Sequence, residues 1–174
     1  LKTIIKEKNI DFTVVNGENA DNTGRGITKE NSNSFFDLGV DVITSGNHIW
    51  DQKETMTFIE NEKRLLRPYN LTKGSPGKGF GIFQVKNKKF KIAVINLMGN
   101  IFMKKCDDLF QAASQLKNLV RLRKDADFII VDVHGEITSE KMALGHFFDG
   151  EATVVVGTHT HVPTSDTHIL KGGT

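Results

Sequence analysis

The stretch Val154-Val155-Val156-Gly157-Thr158-His159-Thr160-His161 joins an apolar β-branched run to two imidazoles. Three consecutive valines read as a strand buried on both faces. The glycine and the alternating Thr and His read as the turn that leaves it. Three more places in the chain repeat the arrangement. Phe12–Val15 runs into Asn16-Gly17-Glu18-Asn19, Val40–Thr44 into Ser45-Gly46-Asn47-His48, and Phe128–Val133 into His134. Between these runs lie stretches of helical pattern. Thr28 caps a helix that reaches Leu38 and stops at Gly39. Asp51 and Glu54 form a capping box for a helix through about Ile59. Asp108 with Gln111 caps a long helix whose Leu109, Ala112, Ala113, Leu116, Leu119 and Val120 recur at the 3.6-residue period. A further helix from about Ser139 to Phe148 closes at Asp149-Gly150. Strand-then-helix alternation with continuous apolar strands predicts an α/β layered domain. Phe80–Val85 and Phe90–Ile95, flanking Lys86-Asn87-Lys88-Lys89, predict a hairpin and hence a mixed sheet.

The bulk numbers agree with one such domain over residues 1–174. The chain has 174 residues, 38% of them hydrophobic, and a formal charge of +2. That is enough apolar material for a core without disulfide or metal staples. The charge is too small to imply a nucleic-acid partner. Cys106 is the single cysteine, so no internal disulfide can form, and a reducing, cytoplasmic setting is expected. No apolar run approaches the roughly 20 residues of a membrane span. The chain starts at Leu1, with Leu1, Ile4 and Ile5 at helical spacing, and ends in the turn-like Lys171-Gly172-Gly173-Thr174. These ends are expected to be those of an N- and C-terminally incomplete domain. Arg67–Gly79, with two prolines and three glycines, reads as a surface loop near the site.

In open α/β sheets, ligands gather beyond the C-terminal ends of the strands. The four polar segments all lie there. They supply a carboxylate (Glu18), amide oxygens (Asn19, Asn47) and the imidazoles of His48, His134, His159 and His161, four of the six histidines in the chain. Such a mixture suits a two-metal hydrolytic centre. In an extended segment His159 and His161 would point to one side and reach two neighbouring ions. Each segment alone also reads as a polar turn or loop tip, so only the combination is informative. Glu136 is a candidate support for a metal ligand. Asp132 is placed on the opposite face of its strand and left out of the site. His146 and His168 read as structural or surface residues.

The same residues match a family pattern. Gly46-Asn47-His48 and Gly157-Thr158-His159-Thr160-His161 resemble the G-N-H and G-H-x-H signatures of calcineurin-type metallophosphoesterases. Longer strings are similar to the YmdB-like branch of that family: Asn16-Gly17-Glu18-Asn19-Ala20, Thr44–Asp51, Leu66-Arg67-Pro68, Val131–Glu136, Thr138–Lys141 and Val156–Thr164. The resemblance covers nearly the whole chain. It implies a four-layer α-β-β-α sandwich with mixed sheets and a site for two metal ions. Iron or manganese is expected, with zinc or cobalt as alternatives. It implies a phosphodiesterase acting on 2′,3′-cyclic nucleotides such as 2′,3′-cAMP, in which a hydroxide bridging the ions attacks phosphorus. By resemblance Glu18 bridges the metals, Asn19 and His161 serve the first ion, and Asn47, His134 and His159 serve the second. His48 is then the acid that protonates the leaving oxygen.

In one respect the chain departs from the pattern. The family begins with a strand ending in a Gly-Asp motif whose aspartate binds the first metal, and it continues beyond the terminal Gly-Gly-Thr. This chain therefore reads as lacking the first strand and the C-terminal strands, with a weakened first metal position and low activity. Two other readings stay open: a phosphomonoesterase or phosphoprotein phosphatase on the same site, and a non-catalytic regulator binding RNA or protein. Lys86, Lys88, Lys89 and Lys91 give the last only weak support, since lysines also keep a sheet edge from pairing. The resemblance also implies a tendency to form homo-oligomers.

Overall fold

The computed structural model describes residues Leu1–Thr174. In chain order the elements are α1 (Lys2–Glu7), β1 (Val14–Asn16), α2 (Lys29–Asp37), β2 (Val42–Thr44), α3 (Thr55–Phe58), β3 (Phe80–Gln84), β4 (Lys91–Met98), α4 (Leu109–Leu119), β5 (Phe128–His134), α5 (Thr138–Phe147) and β6 (Val154–Thr158). They build a mixed α/β fold. β1 and β2 pair in parallel as one sheet, and the other has the order β3-β4-β5-β6. The β3–β4 hairpin is antiparallel, while β4–β5 and β5–β6 are parallel.

The helix boundaries follow local chemistry. The Thr28 side chain accepts from Asn31 N at 3.1 Å, and Asn31 Oδ1 accepts from Thr28 N at 3.0 Å, a reciprocal cap. Asp108 Oδ1 accepts from Gln111 N at 2.7 Å at the start of α4. Gly39 ends α2 at φ +97, a left-handed geometry that glycine adopts without strain. The cap expected at Asp51 does not form. α3 is one short turn beginning at Thr55, and no side chain caps it. Asp51 instead accepts from His48 and Lys104, because charged donors compete well for a carboxylate.

Several strands end later than their apolar runs do. β1 reaches Asn16 and β6 reaches Thr158 because their neighbours supply ladder partners there: Asn16 opposes Thr44, and Thr158 opposes His134. Pairing, rather than hydrophobicity, sets these ends.

Three apolar clusters hold the elements together. Along β4 and β5, Ala93, Ile95, Leu97, Ile129, Val131 and Val133 pack against Leu109, Ala112, Ala113 and Leu116 of α4 and Leu144 of α5. The predicted α4 stripe is thus buried as far as Leu116 and Val120, while Leu119 is exposed. Ile43 of β2 packs with Ile27, Val40, Ile49, Ile59 and Leu65, and with the half-buried Phe35 and Phe36 of α2. Val42, Leu66 and Val94 form a thin third core between residues of the two sheets.

The segment Arg67–Gly79 is more than a surface loop. Leu66 N bonds Ile43 O, Arg67 N bonds Lys78 O and Tyr69 N bonds Asn96 O, so it stitches one sheet to the other. Buried Asn70 donates to Met98 O at 2.7 Å and accepts from Met98 N at 2.9 Å. α1 buries no residue: Leu1 and Ile4 of its apolar stripe stay exposed. No helix is long and apolar enough to cross a membrane.

Candidate metal centre

Every residue singled out from the sequence lies at or just after the C-terminal end of a parallel strand. Glu18 and Asn19 follow β1, Asn47 and His48 follow β2, His134 ends β5, and His159 and His161 follow β6. The ends of β1, β5 and β6 line a cleft of about 550 Å³ through Glu18, Asn19, His134, His159 and His161, and Asn47, after β2, meets His134.

The tightest convergence is on His134 Nε2. It lies 3.0 Å from Glu18 Oε1, 3.0 Å from Asn47 Oδ1 and 3.1 Å from His159 Nδ1. Glu18 and His134 are buried, at 2% and 1% exposure. Gly46 makes the approach possible, since a Cβ there would overlap the His134 ring. His159 Nε2 lies 3.1 Å from Glu136 Oε2. A carboxylate only accepts, so a hydrogen on His159 Nε2 faces Glu136, and a neutral ring carrying it there leaves Nδ1 as a lone pair. Burial first, then the neighbouring His134, pull the His159 imidazole below its usual pKa, which favours this neutral form. Burial alone would push the Glu18 carboxyl up. The hydrogen bond and charge of His134, with the His48 backbone N–H, instead hold it below the usual range.

A second, looser pair stands beside the first. Asn19 Nδ2 lies 3.1 Å from His161 Nε2. Asn19 Oδ1 is buried and has no hydrogen-bond partner, an uncommon state for an amide oxygen. The expectation that His159 and His161 extend side by side does not hold. Both have left-handed backbone, at φ 103 and φ 56, and the two rings meet different partners. Such strain at non-glycine residues is characteristic of functional sites.

His48 is placed by two contacts. Its backbone N–H donates to Glu18 Oε1 at 3.0 Å, and its Nδ1 lies 2.7 Å from Asp51 Oδ2. Lys104 reaches Asp51 Oδ1 at 3.2 Å. Burial raises the Asp51 carboxyl, but the bonds from His48 and Lys104 and their charges together outweigh it and hold it below the usual range.

Asp132, set aside in the sequence reading, is central to the structure. Residues i and i+2 of a strand share a face, so Asp132 lies on the same side as His134. It is 3% exposed and accepts from Thr44 Oγ1 at 2.6 Å, Thr158 Oγ1 at 2.6 Å and Asn16 Nδ2 at 3.0 Å. Asp51 was legible too, as an i+3 carboxylate after His48, but was read as a cap. His146 and His168 are exposed and away from the cluster, as expected.

This donor set fits a metal. Glu18 Oε1, Asn47 Oδ1, His134 Nε2 and His159 Nδ1 crowd together, and each is an atom that a metal takes as ligand once any hydrogen on it is displaced. Donors on adjacent corners around an ion with bonds of about 2.1 Å lie about 3 Å apart, which matches the separations from His134. The carboxylate of Glu18 and the imidazoles of His134 and His159 form a recognisable ligand group within 4.8 Å, and the unpartnered Asn19 Oδ1 offers a further ligand atom beside it.

Comparison with known proteins follows the same line. A 2′,3′-cyclic-nucleotide 2′-phosphodiesterase from Bacillus subtilis is 47% identical over 163 residues, covering 94% of this chain and 60% of the relative. A solved phosphatase structure from Mycoplasma pneumoniae superposes with a TM-score of 0.85 at 35% identity, covering 98% of this chain and 60% of that one. A 5′-nucleotidase from Candida albicans superposes with a TM-score of 0.59 at 15% identity, covering 92% and 36%. At that identity the likeness concerns the fold alone. The chain spans about 60% of the length of the relative from Bacillus subtilis. Over its whole length, residues 1–174, it matches the family model described as YmdB-like protein, and it belongs to that family.

Proposed function

We propose that this chain carries residues of a two-metal centre for hydrolysing phosphodiesters, with 2′,3′-cyclic nucleotides as the substrate class. One observation carries the reading: the convergence of Glu18, Asn47, His134 and His159 at about 3 Å on a single buried point. The name of the Bacillus subtilis relative supports the substrate class. The three clusters also support the finer architecture, an α-β-β-α order of layers, with α2 on one outer face and α4 and α5 on the other.

In this reading Asn47, His134 and His159 hold one ion, Asn19 and His161 serve the other, and Glu18 lies between the two groups. Nitrogen and oxygen donors of this kind accept iron or manganese, and also zinc or cobalt. When bound, the ions supply positive charge for the phosphoryl oxygens and acidify water. The remaining work falls to the protein. Asp51 accepts the Nδ1–H hydrogen bond of His48, and the ring protonated at both nitrogens then carries its transferable proton on Nε2. A ribose alkoxide is a poor leaving group, and a proton delivered from His48 Nε2 makes it a good one. Lys104 keeps Asp51 charged and in place.

The test is hydrolysis of 2′,3′-cAMP by the full-length protein loaded with manganese, against the Glu18→Gln variant. Turnover in the first and its loss in the second is the expected result. A metal-loaded protein that binds manganese at these residues but turns over no cyclic nucleotide would exclude the substrate class.

A further inference from the structure

The Asp132 carboxylate takes no part in the reaction above, yet it is buried where all four strand ends meet. Its three partners, Asn16, Thr44 and Thr158, fix the direction of the hydrogen bonds around it. Asn16 Oδ1 accepts from Glu18 N at 3.2 Å, so the Asn16 amide N–H₂ must face Asp132 Oδ2. The Thr44 hydroxyl donates to the same oxygen. On the other oxygen the Thr158 hydroxyl donates at 2.6 Å. A hydroxyl has one hydrogen. Having given it to Asp132, Thr158 Oγ1 can only accept from His134 Nδ1, 3.0 Å away. When His134 is neutral its hydrogen is thereby confined to Nδ1, and Nε2, the atom facing Glu18, Asn47 and His159, is a lone pair; a hydrogen on Nε2, donated to Glu18, belongs to the doubly protonated ring.

We propose that Asp132 is a positioning residue that acts through the Thr158 hydroxyl to hold His134 as the Nδ1–H tautomer, the form a metal requires. The same carboxylate draws Asn16 and Thr44 of one sheet onto Asp132 and Thr158 of the other. The sheet-to-sheet contact and the ligand's tautomer are thus set by one group. The proposal rests on the metal-centre reading of His134, and it concerns how that ligand is prepared, not which substrate is cleaved.

The substitution Asp132→Asn tests the polarity argument. An asparagine here must aim its N–H₂ away from Asn16, which can only donate, and therefore towards Thr158. The Thr158 hydroxyl then turns its hydrogen to His134 Nδ1, and the ring is driven to the Nε2–H form. Full-length protein labelled with ¹⁵N-histidine and freed of metal reports the tautomer by NMR at alkaline pH. Wild type is expected to show Nδ1–H at His134 and Asp132→Asn to show Nε2–H. Titration with manganese alone, followed by calorimetry, is expected to show affinity about 10- to 100-fold lower in the variant. Thr158→Val, which removes the relay while leaving Asp132 bonded to Asn16 and Thr44, is expected to lose the tautomer preference and show a similar affinity loss. Thr158→Ser is expected to restore both.

A wild-type His134 carrying its hydrogen on Nε2 overturns the proposal outright, whether or not any variant folds. So does a folded Asp132→Asn or Thr158→Val protein with unchanged tautomer and affinity. Cyclic-nucleotide turnover is followed in parallel. A tautomer switch without wild-type turnover removes the substrate reading and keeps this one, and turnover with no switch does the reverse.

Discussion

The His134 ring occupies the space that a side chain at Gly46 would need, so that a single added Cβ would overlap it. Gly46 therefore shapes the candidate metal centre although it offers no ligand atom. Gly46→Ala is expected to push the imidazole away from Glu18 and Asn47 and to lower metal affinity by about 10- to 100-fold. Circular dichroism should remain that of the wild type. Metal content by inductively coupled plasma mass spectrometry, after dialysis against a fixed metal buffer, checks it.

His48 stands apart from the ligand cluster and is tied to it only through its backbone N–H on Glu18. Removing its ring should spare the metals. His48→Ala is expected to retain its metal and lose about 10²- to 10⁴-fold in kcat, the range for a general acid. A non-catalytic binding protein would be indifferent to the change. Asp51→Asn should also lower kcat, by freeing the His48 tautomer, and Lys104→Ala by less. Steady-state kinetics with metal analysis on the same samples separates these outcomes.

Asn19 Oδ1 is buried without a partner, whereas Asn47 Oδ1 faces His134. The two asparagines should therefore differ in which ion they affect. Asn19→Ala is expected to reduce binding at the His161 side and leave the His134 side filled, seen as partial loss of metal stoichiometry. Asn47→Ala should weaken the tighter position. Equal losses in the two variants would mean that one shared position accounts for both asparagines.

Cys106 supplies a pH-dependent readout away from the site. Burial, with further contributions from Glu140, Asp107 and Asp108, pushes its thiol from 9.0 up to about 11, against a hydrogen bond from Asn100 that lowers it. A shift of this size cuts the thiolate fraction about 100-fold at mildly alkaline pH. Alkylation by iodoacetamide is expected to be slow at pH 8 and to accelerate up to about pH 11. The folded value lies above the unfolded one, so the fold favours the protonated thiol. Stability should then fall as pH rises from about 9 to about 11. Urea melts across that range, compared with Cys106→Ala, measure the difference.

Leu116 is fully buried between α4 and the β4–β5 surface. Leu116→Ala removes about three methylene-sized groups from a close-packed cluster and is expected to cost about 2 to 5 kcal/mol. The exposed Leu119, three residues along the same helix, should tolerate alanine within about 0.5 kcal/mol. Urea denaturation of the two variants checks the contrast.

Much of the fold was readable because its cues are local. Thr28 with Asn31 and Asp108 with Gln111 lie within one helical turn, and the Phe80–Ile95 hairpin joins neighbouring segments. The cap expected at Asp51 failed for the opposite reason: Lys104, distant in sequence, and His48 compete for its carboxylate. Asp132 was missed through its strand face, although its i+2 relation to His134 was present in the sequence.

What the sequence determined by itself was the ligand types, their position at strand ends, and the family they match. These follow from residue identity and short spacing. Only the tertiary structure decided which atoms meet. Glu18 and His134 are far apart along the chain, and they come within 3.0 Å because parallel strands in two sheets end at one place. Left-handed turns then send His159 and His161 to different partners, and a buried Asp132 couples both sheets to His134. Hydrogen-bond direction in that network depends on three-dimensional neighbours, and no spacing rule along a single chain encodes it.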